Sequence, residues 1–240
     1  MQKERVLVTG ASGFIGSNLL DYLLEKDYEV IGLSRQKNLP KIHPHLTWIR
    51  ALEELKHDRI DYVVNLAGES IAQGRWTDAR KQKLIASRVE MTTMLYQYLA
   101  KRKIQPKCII SGSAVGYYGI DPTEQWTECC NEQSAPQSIF MSELCQKWEQ
   151  SARQDTSQNT KIIRLGVVFG RGAGILPQML FPIKMNLCGR IGSGRQPVVW
   201  VHIQDVLRAI EFLMLHETTA QVFNVVSPEK VTQSAFAQTA

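Results

Sequence analysis

The stretch VLVTGASGFIGS, residues 6–17, constrains the fold more than any other part of the chain. It begins within a short apolar run, residues 5–8, of the kind that forms a buried strand. Residues 15–25 then set Ile15, Leu19, Leu20, Leu23 and Leu24 along one side of a helix. Gly10, Gly13 and Gly16 fill the junction, each with its own physical task. Gly10 allows the tight turn, Gly13 lets the backbone approach a pyrophosphate, and Gly16 lets the helix pack closely on the strand. The helix start offers unpaired N–H groups and a positive dipole end to phosphate. A glycine trio alone is weak evidence, and a turn without a ligand is the competing reading. Its place at the head of a βαβ unit favours a dinucleotide.

The rest of the chain continues the alternation. Strands are expected at 29–33, 46–49, 62–66, 108–110, 161–165 and 222–226. Helices are expected from a Thr77 cap to about Lys103, from Pro136 or Ser138 onward, and at 206–215. In the second of these, Phe140, Leu144 and Trp148 recur every four residues and share a face. Alternating strands and helices imply a parallel sheet covered on both sides, with right-handed crossovers. The fold class is therefore α/β: a Rossmann-type doubly wound parallel sheet with a small C-terminal substrate lobe. Residues 1–165 are assigned to the nucleotide-binding domain, and 166–240 to the substrate lobe and late sheet elements. Thr232 reads as a helix cap with the chain stopping soon after, so a further C-terminal region is expected.

The end of the second strand should set cofactor choice. NAD enzymes usually place a carboxylate there, which bonds the ribose 2′-OH. Here the strand ends Gly32-Leu33-Ser34-Arg35. Arg35 can hold a 2′-phosphate bidentately and Ser34 can donate to it, so NADP is favoured over NAD. A solvated surface arginine is the alternative.

Several segments together resemble the extended short-chain dehydrogenase/reductase superfamily, which includes the NAD-dependent epimerases and dehydratases. They are the Gly10-x-x-Gly13-x-x-Gly16 turn, NLAG at 65–68, SGSAVGYYG at 111–119 and WVHIQDV at 200–206. AGESIAQGRWT, ELCQKWE and RLGVVFGRGAGILPQM narrow the resemblance to an atypical branch. Its members are labelled epimerase-family proteins or nucleoside-diphosphate-sugar epimerases, and some carry an older label as cell-division inhibitors. The resemblance implies that Ser12, Phe14, Ile15, Leu66, Ala67, Gly68, Ser111 and Leu165 join Gly10, Gly13, Gly16, Ser34 and Arg35 around the cofactor. It also implies that Ser113 is the serine that holds the substrate oxygen. By analogy alone it allows a homodimer.

Two departures stand out. The superfamily's Tyr-x-x-x-Lys pair, laid onto this chain, falls on Phe140 and Leu144, which can neither move a proton nor tune one. Lys147 is expected to face solvent. The arginine that often grips a sugar-nucleotide diphosphate falls on Val198, which puts a conventional UDP-sugar substrate in doubt; Arg195 replaces it only if its loop turns inward.

Other groups are candidates with open alternatives. Tyr117 and Tyr118 are acids from the opposite wall, or aromatic packing at the rim. Glu69 is a base or a cap, and Ser113 itself catalytic or a strand-end serine. His202 more plainly holds its loop, with Asp205 as a partner. Arg75 and Trp76 precede the long helix, where an aromatic stacks on a ligand or on the core. Arg88 falls where the superfamily often has Asn, and residues 170–174 form a lid or a plain loop. Two function classes remain: an NADP(H)-dependent oxidoreductase or epimerase-like enzyme on a small carbonyl or hydroxyl substrate, and a non-enzymatic NADP-binding sensor.

Composition narrows the setting. The net charge of +5 comes from scattered Lys and Arg, which argues against nucleic acid as a partner. Five cysteines without zinc-type spacing, Cys129 and Cys130 adjacent, fit free thiols in a reducing compartment and no metal. No apolar stretch is long enough to span a membrane and no signal peptide is evident, so a cytoplasmic location is expected.

Overall fold

A computed structural model describes residues 3–36, 39, 42–72, 74–125, 129–171, 174–185 and 191–239, with side chains omitted at 182 and 184. Cys188 and the middle of the 170–174 loop lie outside the described residues.

Seven parallel strands form the main sheet. β1 (Arg5–Thr9), β2 (Glu29–Leu33), β3 (Leu46–Ile49), β4 (Tyr62–Asn65), β5 (Cys108–Ala114), β6 (Thr160–Leu165) and β9 (Val222–Val225) lie in the order β3-β2-β1-β4-β5-β6-β9. Side chains alternate across the sheet, so two cores form. Val6 and Val8 of β1, Val64 of β4 and Ile110 of β5 pack under α1 (Phe14–Glu25) and α5 (Ile203–Leu215). Leu7, Val63 and Ile109 face the other way, with Leu95, Tyr96 and Leu99 of α2 (Asp78–Arg102) and Ala152 of α3 (Phe140–Ala152). Burial on both faces explains why these strands read as apolar runs rather than alternating ones.

Chain order reverses between β1 and β4, and such a switch point opens a crevice at the C-terminal strand ends. The Gly10 turn leaves β1 there, and the NLAG segment leaves β4 beside it. The helix ends follow their local chemistry. Thr77 Oγ1 accepts from Arg80 N at 3.3 Å to cap α2, and Lys103 closes it in the left-handed region at φ 54°.

Several boundaries differ from the sequence reading. β5 runs on to Ala114, because Ser111 and Ser113 find buried partners inside the fold. α3 starts at Phe140, since the Gln137 side chain instead clamps both the N–H and the carbonyl of Ile120. α5 begins at Ile203, capped by His202 Nδ1, which accepts from Gln204 N. A parallel pair, β7 (Val167–Phe169) with β8 (Trp200–His202), and α4 (Leu176–Lys184) were not foreseen. Residues 166–240 also return to the main body: α5 lies in the core beside α1, and β9 pairs with β6. α6 (Gln233–Thr239) follows Thr232, whose hydroxyl accepts from Ala235 N at 3.0 Å.

Candidate functional site

The phosphate turn is built by steric exclusion. Gly10 has φ +65°, and a Cβ there would lie 2.6 Å from the Leu66 carbonyl oxygen. A Cβ on Gly16 would lie 2.3 Å from the Gly10 carbonyl oxygen, so strand and helix touch backbone to backbone. Gly13 precedes α1 in an extended conformation, with no side-chain cap and no acid in the first helical turn. The first N–H groups, at Phe14 and Ile15, are left for an anion. These features fit a pyrophosphate-bearing nucleotide.

Beside the turn, Thr9, Asn65, Thr92 and Ser111 form a buried network. Thr9 Oγ1 donates to Asn65 Oδ1 at 2.6 Å, and Asn65 Nδ2 donates to Thr92 Oγ1 at 2.8 Å and Ser111 Oγ at 3.4 Å. Thr9 Oγ1 also accepts from Ala67 N at 3.2 Å, which fixes Leu66, Ala67 and Gly68 against the glycine turn. Ser111 is wholly buried in this network, at the foot of the crevice. Leu165 is likewise a core residue at the end of β6.

At the end of β2, Ser34 is buried and shares a 2.6 Å hydrogen bond with Ser12. Arg35 is exposed and has neither a hydrogen bond nor an ion pair among the described residues. Phe14 also packs against Gly170 and Gly174, because Cβ atoms there would lie 2.8 and 2.9 Å from its ring.

The Ser113 end of the crevice holds a second buried network, and sequence reading missed most of it. Ser113 Oγ donates to Glu149 Oε1 at 2.8 Å. Arg164 grips the same carboxylate with two donors, Nε at 2.7 Å and Nη2 at 2.8 Å. Arg164 Nη1 donates to the Tyr118 hydroxyl at 2.9 Å, and that hydroxyl donates to Asn224 Oδ1 at 2.7 Å. The guanidinium stacks 3.4 Å from the centroid of Tyr117. Burial opposes the charge on Arg164, but the hydrogen bonds it donates to Glu149 and Tyr118 outweigh it and hold its pKa above the usual value. The signal was present in the sequence: Arg164 interrupts an apolar strand, and a charge there needs a partner.

Helix α3 presents two neighbouring stripes. Phe140, Leu144 and Trp148 form one, with Leu144 almost wholly buried and Phe140 edge-on to Trp76 at 5.6 Å. Met141, Cys145 and Glu149 form the other. Met141 and Cys145 border Gly116, and the Cys145 thiol is within hydrogen-bonding reach of Ser113. The side chains of α3 facing the end of β5 are thus those of Met141 and Cys145, one position past Phe140 and Leu144. Burial pushes the Cys145 thiol up to about 11. Lys147 is exposed, as expected.

Most of the remaining candidates are engaged elsewhere. Glu69 is held by Arg80 at 2.5 Å and Lys83 at 3.2 Å, and these bonds keep its carboxyl below the usual range, so it is a weak base. His202 caps α5, Arg195 lies 3.8 Å from Glu124, and Val198 N donates to Val231 O. Arg75 is exposed, and Trp76 is 43% exposed with its indole N–H on the Ile71 carbonyl. A concavity of about 560 Å³ lies between α5 and β9. It is lined by Trp200, His202 and Phe223, away from the glycine turn.

Known proteins agree with this geometry. An epimerase family protein of Staphylococcus saprophyticus, SSP1921, is 35% identical over 98% of this chain and 79% of its own length. A crystal structure of the human epimerase family protein SDR39U1 (isoform 2) with NADPH superposes with a TM-score of 0.83. It is 34% identical, over 98% of this chain and 78% of that one. A nucleoside-diphosphate sugar epimerase from Corynebacterium glutamicum gives 0.79 at 26% identity, over 99% of this chain and 49% of its own. The model of the NAD dependent epimerase/dehydratase family matches residues 6–226, and the chain belongs to that family.

Proposed function

We propose that this chain is an NADP(H)-dependent oxidoreductase or epimerase-like enzyme acting on a small carbonyl or hydroxyl substrate. The observation that carries the cofactor choice is Arg35: an exposed cation without a partner among the described residues, next to Ser34 at the end of β2. The uncapped start of α1 supports the phosphate end of the same reading, and human SDR39U1, crystallised with NADPH, supports it from outside.

When bound, the cofactor supplies hydride transfer. The protein supplies orientation. The Ser113 proton is committed to Glu149, so toward a substrate its oxygen acts as an acceptor and suits a hydroxyl donor. The Tyr118 hydroxyl both accepts from Arg164 and donates to Asn224, which favours a structural role. Tyr117 is half-buried with its hydroxyl uncommitted among the described residues, and is the better proton relay.

One observation favours the second reading, a non-enzymatic NADP sensor. Phe140 and Leu144, and equally Met141 and Cys145, leave α3 with no proton donor of the usual kind near Ser113. A cytoplasmic location and a homodimer through α2 and α3 remain part of the proposal; no described helix is long and apolar enough to cross a membrane.

Fluorescence titration with NADPH, NADP and NAD tests the cofactor, and oxidation of NADPH across a panel of carbonyl compounds tests turnover. Arg35→Asp should weaken NADP binding at least about tenfold with little change for NAD. Equal losses for both would overturn the NADP assignment. Tight binding without turnover on any compound would favour the sensor.

A further inference from the structure

Arg88 of α2 lies where a chain of contacts joins the glycine turn to Ser113. Gly10 abuts Leu66, and the same loop continues to Gly68, where a Cβ would sit 3.0 Å from Arg88 Cζ. The guanidinium lies 5.2 Å from the Trp148 ring centroid, and its charge acts on the Cys145 thiol beside Ser113. It therefore lies beneath the NLAG loop, between the two ends of the crevice.

Its hydrogen bonds are all to neutral acceptors. Nη1 donates to the Leu84 carbonyl at 3.1 Å and to Ser87 Oγ at 3.4 Å, and Nη2 donates to the Glu69 carbonyl at 2.9 Å. No carboxylate pairs with it among the described residues. The nearest candidate, the Glu69 side chain, is turned to Arg80 and Lys83. Burial pushes the Arg88 pKa down, yet a guanidinium stays charged at any ordinary pH. A neutral donor would pin the Glu69 carbonyl equally well; the Trp148 face favours a cation there but does not neutralise it.

We propose that Arg88 is the fixed cation of this site and makes it select the reduced nicotinamide, which is neutral, over the oxidised one, which is positively charged. The inference rests on the reading above, in which the nucleotide spans the glycine turn with its nicotinamide toward Ser113. An unpaired charge in a partly desolvated crevice acts strongly on a second charge. The effect is on binding and does not depend on turnover, so it holds for enzyme and sensor alike.

The test is calorimetry of the whole chain with NADPH, NADP and 2′-phospho-ADP-ribose, which lacks the nicotinamide. Wild type should bind NADPH at least about fivefold more tightly than NADP. Arg88→Gln should shrink that ratio toward one, Arg88→Lys should keep most of it, and 2′-phospho-ADP-ribose should bind alike to all three proteins. A wild-type ratio near one, or an unchanged ratio in Arg88→Gln, overturns the proposal. So does an equal loss for all three ligands, which would mark Arg88 as a loop pin. Should Arg88→Gln fail to fold, the wild-type ratio and Arg88→Lys still decide. Wild type binding none of the three would instead sink the nucleotide reading itself.

Discussion

Ser113 donates to Glu149 over 2.8 Å, which ties a hydroxyl near the end of β5 to a buried ion pair. The side chains of Arg164 and Glu149 are only 2% and 3% exposed. Glu149→Gln should therefore cost about 3–5 kcal/mol, because it strands the Arg164 charge in the core. Ser113→Ala removes one hydrogen bond while Glu149 keeps both donors from Arg164, and should cost about 1 kcal/mol. Urea midpoints at constant slope measure both; similar losses would mean that the carboxylate is not the keystone of the network.

The two tyrosines after Ser113 should separate by phenotype. Tyr118→Phe breaks the link from Arg164 to Asn224 and should lower stability by roughly 1–2 kcal/mol. Tyr117→Phe keeps the ring stacked on Arg164 and should leave stability within about 0.5 kcal/mol. If the chain turns substrate over, Tyr117→Phe should lower kcat with little change in NADPH affinity. A fall in kcat for Tyr118→Phe alone would reverse the assignment.

The framework was legible because it rests on local pattern. The β2 and β3 boundaries agree with the reading, as does the Thr77 cap, since apolar runs, turn residues and capping act over a few positions. The glycine turn was legible for the same reason. Glu149, Arg164 and Asn224 were not, because their meaning lies in partners 15 and 106 residues away, from Arg164 to Glu149 and from Tyr118 to Asn224. On α3, Met141 and Cys145 border Gly116 while Trp148 lies against Gly112 of β5, a division between neighbouring stripes that periodicity alone does not resolve. The pair β7–β8 was missed because three-residue strands carry too little pattern.

Two of the turn glycines make distinct predictions. Gly16→Ala brings its Cβ to 2.3 Å from backbone and should destabilise by more than about 2 kcal/mol, whatever the ligand. Gly13 has φ −75°, and its added Cβ would lie 3.2 Å from the Gly10 carbonyl oxygen. Gly13→Ala should stay within about 1 kcal/mol of wild type, yet bind NADPH at least about tenfold more weakly. Unfolding midpoints paired with NADPH titration separate the two effects. Unchanged affinity in a folded Gly13→Ala would place the pyrophosphate elsewhere.

Alkaline stability should follow three phenols whose protons are held in the fold. Tyr22 is raised to about 12, chiefly by the hydrogen bond it gives to the Glu211 carboxylate, and Tyr28 and Tyr62 reach about 12 mainly through burial. Each keeps its proton in the folded chain above the pH at which an unfolded tyrosine releases it, so unfolding releases protons in that window. Their stabilisation is complete below pH 10 and drains away as the pH rises toward 12. Urea midpoints taken across that interval should fall steadily, while tyrosinate absorbance in the native protein lags behind that of the unfolded chain. Tyr22→Phe deletes one titrating group together with its bond to Glu211, so the variant should start less stable and decline less steeply. A decline as steep as wild type would show that Tyr22 does not hold its proton through Glu211.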